Sequence, residues 1–203
     1  MSLPWQDWEL LSPTQIDNCI ELGEQLKNIP ISNYNAHHIG VGFGFSTSRT
    51  SIVMTEHLKG DVNKIIVRFA EEYDKANPAD IVNICHSLYR KYWNTWIWVD
   101  GSNRAAVNLM KVAWDESLNW EPKDVSPQMH KIIPVNFGTE HKQMLGHLQV
   151  LVTKGYLAIP KEYEKLIISL RTAYAKELTL NKEQTSYDDS IDALRLSLKG
   201  YDI

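Results

Sequence analysis

The apolar positions of the chain change from helical to strand spacing within the first third of the sequence. Residues 12–28 show the three-to-four-residue spacing of an amphipathic helix, with Ser12 in the capping position and Pro13 at the first helical position. Residues 39–73 instead contain three runs rich in β-branched and aromatic residues, separated by turn-forming residues. The pattern predicts one helix followed by an antiparallel meander of three strands.

Helical and strand patterns alternate after the meander, and short continuous apolar runs suggest strands buried on both sides. The predicted helices are 79–93, 103–114, 139–155, 160–177 and about 188–199, the predicted strands are 95–101, 131–138 and 156–160, and 177–186 is a polar strand or loop. Such an order predicts an α/β fold, with a mixed central sheet flanked by helices on both faces.

Three carboxylates stand within five positions at the start of the last helix, in the stretch SYDDSIDALRLSLKGY. Acidic residues in a first turn stabilise a helix by roughly 0.3 to 1 kcal/mol each, which accounts for Asp188 and Asp189. Asp192 lies beyond that turn and needs another partner. Arg195, three residues further on, is one candidate, and a divalent cation is the other, because Asp189 and Asp192 lie only about 60° apart around the helix.

A fourth carboxylate, Asp100, ends the apolar strand TWIWVD. Polar residues at the carboxyl ends of adjacent strands of such a sheet converge on one crevice. The sequence Asp100-Gly101 is equally typical of a turn. If the strand is as buried as its composition predicts, the carboxylate needs a partner.

Composition limits the classes of function. The chain has 203 residues, 43% of them hydrophobic, with seven Trp, which is enough for one domain with a substantial core. Two isolated cysteines indicate reduced thiols in an intracellular setting and no zinc finger. The chain has no 18-residue apolar run and no signal-like start, which predicts a soluble protein without a membrane partner. A net charge of −4 argues against a surface that coats nucleic acid but permits a local basic groove.

The order of elements resembles the ribonuclease-H-like nuclease fold, and several motifs resemble those of the nuclease domain of viral large terminase subunits. SYDDSIDALRLSL is similar to the last motif of that domain, in which an acidic pair precedes xxDAL. IPKEYEKLIISLRTAY is similar to its "P, then LI, then QLR" helix, and WVDGSN to its middle acidic motif. The resemblance covers about residues 37–203. It implies that residues 1–36 end a linker from an N-terminal packaging ATPase, and indeed no GxxxxGK[ST] phosphate loop occurs in the chain.

The resemblance implies metal-dependent cleavage of double-stranded DNA during genome packaging, in the cytoplasm of an infected or provirus-carrying cell. It also implies the ATPase domain, the small terminase subunit and the portal as partners. In this chemistry two Mg²⁺ or Mn²⁺ ions about 4 Å apart activate water and stabilise the leaving oxygen. The matched catalytic and metal-binding positions are Asp100, Asp189 and Asp192, with Asp188 as a neighbouring metal ligand.

One motif departs from the family. The first motif is commonly GVDPG-like, and here the stretch reads GVGFG, which places Gly42 where the family has an aspartate that bridges both ions. Glu56 is the nearest acid in sequence that could replace it. Without a replacement, we expect the chain to bind at most one ion tightly and to cut DNA poorly, and we expect Gly42→Asp to raise cutting.

Two alternatives remain open: a RuvC-like junction resolvase or transposase-type enzyme, and a catalytically inactive DNA- or portal-docking domain of the same fold. Contacts to DNA phosphates need only positive charge near the groove. Arg49 and Arg104 are favoured because their loops lie beside the expected site. The complete set of candidates is Arg49, Arg104, Lys142, Lys154, Lys161, Lys182 and Arg195.

Overall fold

The computed structural model describes residues 8–43, 49–91, 95–117, 132–176, 179–183 and 185–202. Its helices are α1 (Pro13–Leu26), α2 (Pro78–Lys91), α3 (Arg104–Ser117), α4 (Phe137–Thr153), α5 (Glu164–Arg171) and α6 (Asp188–Leu198). Its strands are β1 (Trp8–Glu9), β2 (His37–Gly42), β3 (Thr50–Leu58), β4 (Lys64–Tyr73), β5 (Thr95–Asp100), β6 (Ile132–Val135), β7 (Leu157–Ala158), β8 (Tyr174–Lys176) and β9 (Thr179–Leu180).

The main sheet has six strands in the order β6-β5-β2-β3-β4-β7. Strands β2, β3 and β4 form the predicted antiparallel meander. Strands β5 and β6 add to it in parallel beside β2, and β7 pairs in parallel with β4. The predicted mixed sheet is therefore confirmed, and β2, β4, β5 and β6 all end at the same edge.

The two faces of the sheet are covered by different helices. Ile39 and Val41 of β2 belong to a core that also contains Ile81 of α2 and both Met110 and Trp114 of α3. Helices α1, α4, α5 and α6 contribute to the core on the other face. Side chains alternate between the faces of a strand, so Gly40 and Gly42 turn towards α6. Helices on both faces were predicted, and this part of the fold class is confirmed.

Helix α6 is almost completely buried, and it lies unusually close to β2. A Cβ atom at Gly40 would stand 1.9 Å from the carbonyl oxygen of Ala193, and one at Gly42 would stand 2.7 Å from that of Asp189. Only glycine permits this approach at both positions. The acidic start of α6 is thereby held directly over the end of β2.

The first helix is integrated into the domain. Ser12 and Gln15 form a capping box, and Pro13 follows the cap as predicted. Ile16 and Cys19 of α1 are buried in the core that also contains residues of α4, α5 and α6. None of the helices in the described ranges is both long and apolar enough to cross a bilayer.

The prediction was wrong at the end of the fifth helix. Instead of running from 160 to 177, α5 ends at Arg171, and Tyr174–Lys176 forms β8. Ala175 pairs with Trp8 in a small second sheet of order β1-β8-β9. Strand pairing with a segment more than 160 residues away has overridden the local helical spacing.

Candidate metal centre

Four neighbouring strands contribute one row of residues at the edge of the sheet beneath α6. Gly42 of β2 pairs with Ser51 of β3, which pairs with Glu72 of β4. On the other side, Val41 pairs with Val99, so the next residue of β5, Asp100, ends beside Gly42. The row thus contains two carboxylates, one on each side of a position that has no side chain.

The three acids of α6 face this row as a group. Asp188, Asp189 and Asp192 each offer a carboxylate oxygen within 4.8 Å of the others. Asp188 is partly exposed, whereas the other two are buried. The helix begins after Tyr187, which has a left-handed backbone conformation, and no side chain caps it. Carboxylates this close repel one another unless cations lie between them.

Both oxygens of Asp192 are occupied by cations. Arg195 Nη2 donates to Asp192 Oδ1 at 2.5 Å, and Lys182 Nζ donates to Asp192 Oδ2 at 3.0 Å. The same Lys182 Nζ lies 3.1 Å from Asp188 Oδ2. Burial opposes the charge of Lys182, but the two carboxylates outweigh it and raise the pKa of its ammonium. The ion-pair interpretation of Asp192 is therefore confirmed.

Arg195 is buried and cannot reach DNA from this position. Its side chain is 0% exposed, and its guanidinium stacks 4.5 Å from the centre of the Phe137 ring. Its Nε and Nη1 atoms have no hydrogen-bond partner among the described residues. Burial lowers the pKa of the guanidinium, against the opposing charge of Asp192. The prediction that Arg195 contacts DNA was wrong, because the side chain turns inwards to Asp192.

Asp189 differs from Asp192 in having no ion-pair partner within the described part of the chain. Asp189 is only 7% exposed to solvent. Burial and the neighbouring charge of Asp188 raise the pKa of Asp189 to about 7. A buried carboxylate with neighbouring negative charges and no ion-pair partner is the one most in need of an incoming positive charge.

Asp100 lies near the α6 acids without joining their group of three. Its Oδ1 accepts a hydrogen bond from the backbone N–H of Ser102 at 2.8 Å, so the turn interpretation is confirmed. Its negative charge acts on the Arg195 guanidinium and favours the charged form. Asp100 is thus connected to the α6 acids through Arg195, which pairs with Asp192.

The position of Gly42 is closed by α6. A Cβ atom there would also lie 3.4 Å from Asp192 Cβ, in addition to its clash with the Asp189 carbonyl oxygen. An aspartate at position 42 therefore fits only if α6 moves. The expectation that Gly42→Asp raises cutting is therefore corrected: the substitution can raise cutting only if it first displaces α6, the helix that carries the other acids.

Glu56 cannot replace the missing aspartate. It pairs with His37 at the opposite end of β2, five residues or about 16 Å from Gly42. Burial opposes its ionisation, but contacts with His37, Asn35, Ser32 and Arg68 lower its pKa to about 2. Arg68 Nε donates to Glu56 Oε2 at 2.7 Å. This carboxylate joins the 27–35 connector to the sheet, so its proposed role at the metal centre was wrong.

Sequence reasoning missed Glu72, the acid on the far side of the row. Its side chain is 2% exposed, and its Oε1 accepts a hydrogen bond from Ser190 Oγ at 2.7 Å. Ser190 Oγ lies 3.2 Å from Ser51 Oγ, which ties α6 to the sheet. The only local sign of this residue in the sequence is a Glu-Glu pair near the end of the third strand. Whether either glutamate lies close to α6 depends on the register of the strands, which the sequence does not show.

The candidate DNA-contacting residues divide by position. Arg49, 46% exposed, lies beside Glu72 and Asp74, with its guanidinium 5.9 Å from the centre of the Tyr187 ring. Exposed Arg104 begins α3, four residues after Asp100. Exposed Lys142 lies near the start of α4, which follows β6 directly. These three residues are near the edge that carries the acids.

Lys154 and Lys161 are not brought to the cluster. Lys154 ends α4, about 25 Å along the helix from its start. The neighbouring Gly155 carbonyl accepts from Lys64 Nζ, at the opposite end of β4 from Glu72. Lys161 Nζ lies 3.6 Å from Glu24 of α1.

Several solved structures share this architecture. The large terminase nuclease from thermophilic phage G20c superimposes with a TM-score of 0.64 and 16% identity, covering 96% of this chain and 99% of that one. The HK97 bacteriophage large terminase gives 0.69 and 12%, covering 97% of this chain and 44% of that one. The nuclease domain of the bacteriophage SPP1 large terminase, solved with bound Mn, gives 0.58 and 14%, covering 81% and 85%.

No protein-family model and no curated protein matches the chain. The structural similarity nevertheless defines the fold: the chain has the ribonuclease-H-like fold of the nuclease domains of phage large terminases.

Proposed function

We propose that the chain is the nuclease domain of a large terminase subunit and that it hydrolyses double-stranded DNA with a divalent metal ion. The observation that carries this proposal is the group of three carboxylates within 4.8 Å at the start of α6, in a terminase nuclease fold. The G20c nuclease has been solved with bound magnesium and the SPP1 nuclease domain with Mn. A donor set made only of carboxylate oxygens suits Mg²⁺ or Mn²⁺.

The residues present differ in how readily they would hold the ion. Asp189 has no ion-pair partner among the described residues, and Asp100 ends the neighbouring strand β5, so these two are the principal ligands in our proposal. Asp188 shares its oxygen with Lys182, and Asp192 shares both of its oxygens. A bound ion would polarise the scissile phosphate and favour ionisation of a water molecule. Arg49, Arg104 and Lys142 would hold the flanking phosphates.

The proposal places the chain in a packaging assembly. Residues 37–203 would form the nuclease domain together with α1, which packs into the same core, and an ATPase domain would precede them. Double-stranded DNA, the small terminase subunit and the portal would be its partners, in the cytoplasm of the host cell.

A second candidate, a DNA- or portal-docking domain without catalysis, is favoured by two observations. Gly42 offers no carboxylate at the centre of the row, and Asp192 is already neutralised by Arg195 and Lys182. Both features weaken a two-ion site. They are the reason why we expect cleavage to be slow.

A nicking assay distinguishes the two candidates. Supercoiled plasmid is incubated with wild-type protein or Asp189→Asn in Mn²⁺, and a four-way junction is tested in parallel. The proposal predicts slow nicking that requires the metal and falls at least about tenfold in Asp189→Asn. Equal residual nicking by both proteins would favour the docking domain, and preference for the junction would favour a resolvase.

DNA binding supplies an independent measurement. Lys142→Gln removes one phosphate contact near the acids and is expected to reduce the slope of log affinity against log salt by about one. Lys154→Gln is the matched control, because this exposed lysine on the same helix lies at the far end. A loss for Lys154→Gln equal to that for Lys142→Gln would place the DNA on another surface.

A further inference from the structure

We propose that Lys182 is a built-in cation that takes the place of one of the two metal ions, so that the centre binds a single divalent ion. This inference rests on the proposed function and concerns the same site. It assigns to Lys182 a role different from that of a DNA contact.

The geometry around Lys182 carries the inference. Its Nζ lies 3.0 Å from Asp192 Oδ2 and 3.1 Å from Asp188 Oδ2, so one ammonium group bridges two carboxylates of the cluster. A metal ion shared by Asp188 and Asp192 would have to compete with this ammonium group for the space between them. The remaining oxygen of Asp192 accepts from Arg195, so a second metal ion at Asp192 would have to compete with a cation at either oxygen while Lys182 stays in place.

The net charge of the side chains around the centre also favours a single divalent ion. Asp100, Asp188, Asp189 and Asp192 contribute four negative charges, and Lys182 and Arg195 contribute two positive charges. The charge of Glu72, the other acid of the row, is balanced by Arg49, whose Nη1 lies 3.6 Å from it. The residual charge of two is neutralised by one divalent ion. An aspartate at position 42 would add a further negative charge next to Asp192, and it is this carboxylate that the chain lacks.

The position left for the ion is beside Asp189. This residue has no ion-pair partner among those the structure describes, whereas Asp188 and Asp192 both contact Lys182. Lys182 is attached to the segment between β9 and α6 and its side chain is 54% exposed. An ammonium group carries half the charge of the ion it replaces, which is why we expect cleavage to be slow rather than absent.

Calorimetric titration with MnCl₂, in the absence of DNA, tests the inference. Wild-type protein is expected to bind one Mn²⁺ ion. Lys182→Gln removes the competing charge and is expected either to bind a second ion or to bind the first at least about tenfold more tightly. Lys182→Arg keeps the charge and is expected to bind one ion as the wild type does. Lys154→Gln, remote from the acids, is the matched surface control.

Three results would overturn the inference, and they separate it from the proposed function. Two ions bound by wild-type protein, or no gain in Lys182→Gln, would refute the role of Lys182 while leaving a metal-dependent nuclease intact. No binding by the wild type at millimolar Mn²⁺ would refute both. Thermal denaturation of each variant confirms that the titrated protein is folded.

Discussion

Adding a methyl group at Gly42 tests how closely α6 lies on the sheet. The new Cβ atom of Gly42→Ala would stand 2.7 Å from the carbonyl oxygen of Asp189, whereas ordinary contacts of this kind begin at 3.4 Å. The helix must therefore move by about 0.3 to 0.7 Å, since distances under 3.0 Å do not occur. Such overpacking costs about 1 to 3 kcal/mol.

The size of the effect should follow the severity of the contact. Gly40→Ala would place a Cβ atom 1.9 Å from Ala193 O and 2.6 Å from Ser197 N, so its cost should exceed that of Gly42→Ala. Gly146 lies within α4, and a Cβ atom there meets nothing within 4 Å. Gly146→Ala should stabilise the protein by about 0.5 to 1 kcal/mol, because alanine favours the helix.

Thermal denaturation of the three variants measures these differences. At about 2 to 4 °C per kcal/mol for a chain of this size, Gly42→Ala should lower Tm by about 2 to 12 °C. Without metal, Gly42→Asp should be at least as destabilised as Gly42→Ala. Added Mn²⁺ should raise the Tm of Gly42→Asp by more than it raises the Tm of Gly42→Ala. Equal stability of wild type, Gly40→Ala and Gly42→Ala would refute the close packing of α6 on β2.

Two further predictions concern the carboxylates at either end of the sheet. Glu56→Gln leaves the nearly buried Arg68 without its charged partner, so urea denaturation should show a loss of about 3 kcal/mol in the free energy of unfolding. Mn²⁺ binding should be unchanged. Weaker Mn²⁺ binding would show that Glu56 belongs to the metal site after all. Because the pKa of Asp189 is raised to about 7 in the fold, its protonated form stabilises the metal-free protein below pH 4, and this contribution is lost as the pH rises through 7. Mn²⁺ affinity should correspondingly fall about tenfold per unit below pH 7 in the wild type, and a profile unchanged in Asp189→Asn would contradict this assignment.

The sequence was sufficient for those elements whose signals are local. The three-stranded meander, the strand before Asp100 and the acidic last helix each follow from spacing within a few residues. The prediction that this strand is buried on both sides was wrong, because burial alternates along β5 and Trp96 is 43% exposed. The pairing of Asp192 with Arg195 also follows from helical geometry, because residues three apart lie on neighbouring positions of one face.

The remaining features depend on distant segments. Tyr174–Lys176 forms a strand because residues 8 and 9 pair with it. Glu72 lies beside α6 because β4 pairs with β3 in a register that sets Glu72 opposite Ser51. Glu56 lies at the far end of β2 from the acids because β3 pairs with β2 in a register that sets Glu56 opposite His37. A register that places one acid in the site and removes another cannot be read from the spacing within a single strand.

The central claim is that the acids of α6 and the end of β5 share a divalent cation. Anomalous diffraction from a crystal soaked in MnCl₂ tests it most directly. The account predicts one manganese peak at coordination distance from the carboxylate of Asp189, with Lys182 still bridging Asp188 and Asp192. A saturating soak that leaves Asp189 without a peak would contradict the account.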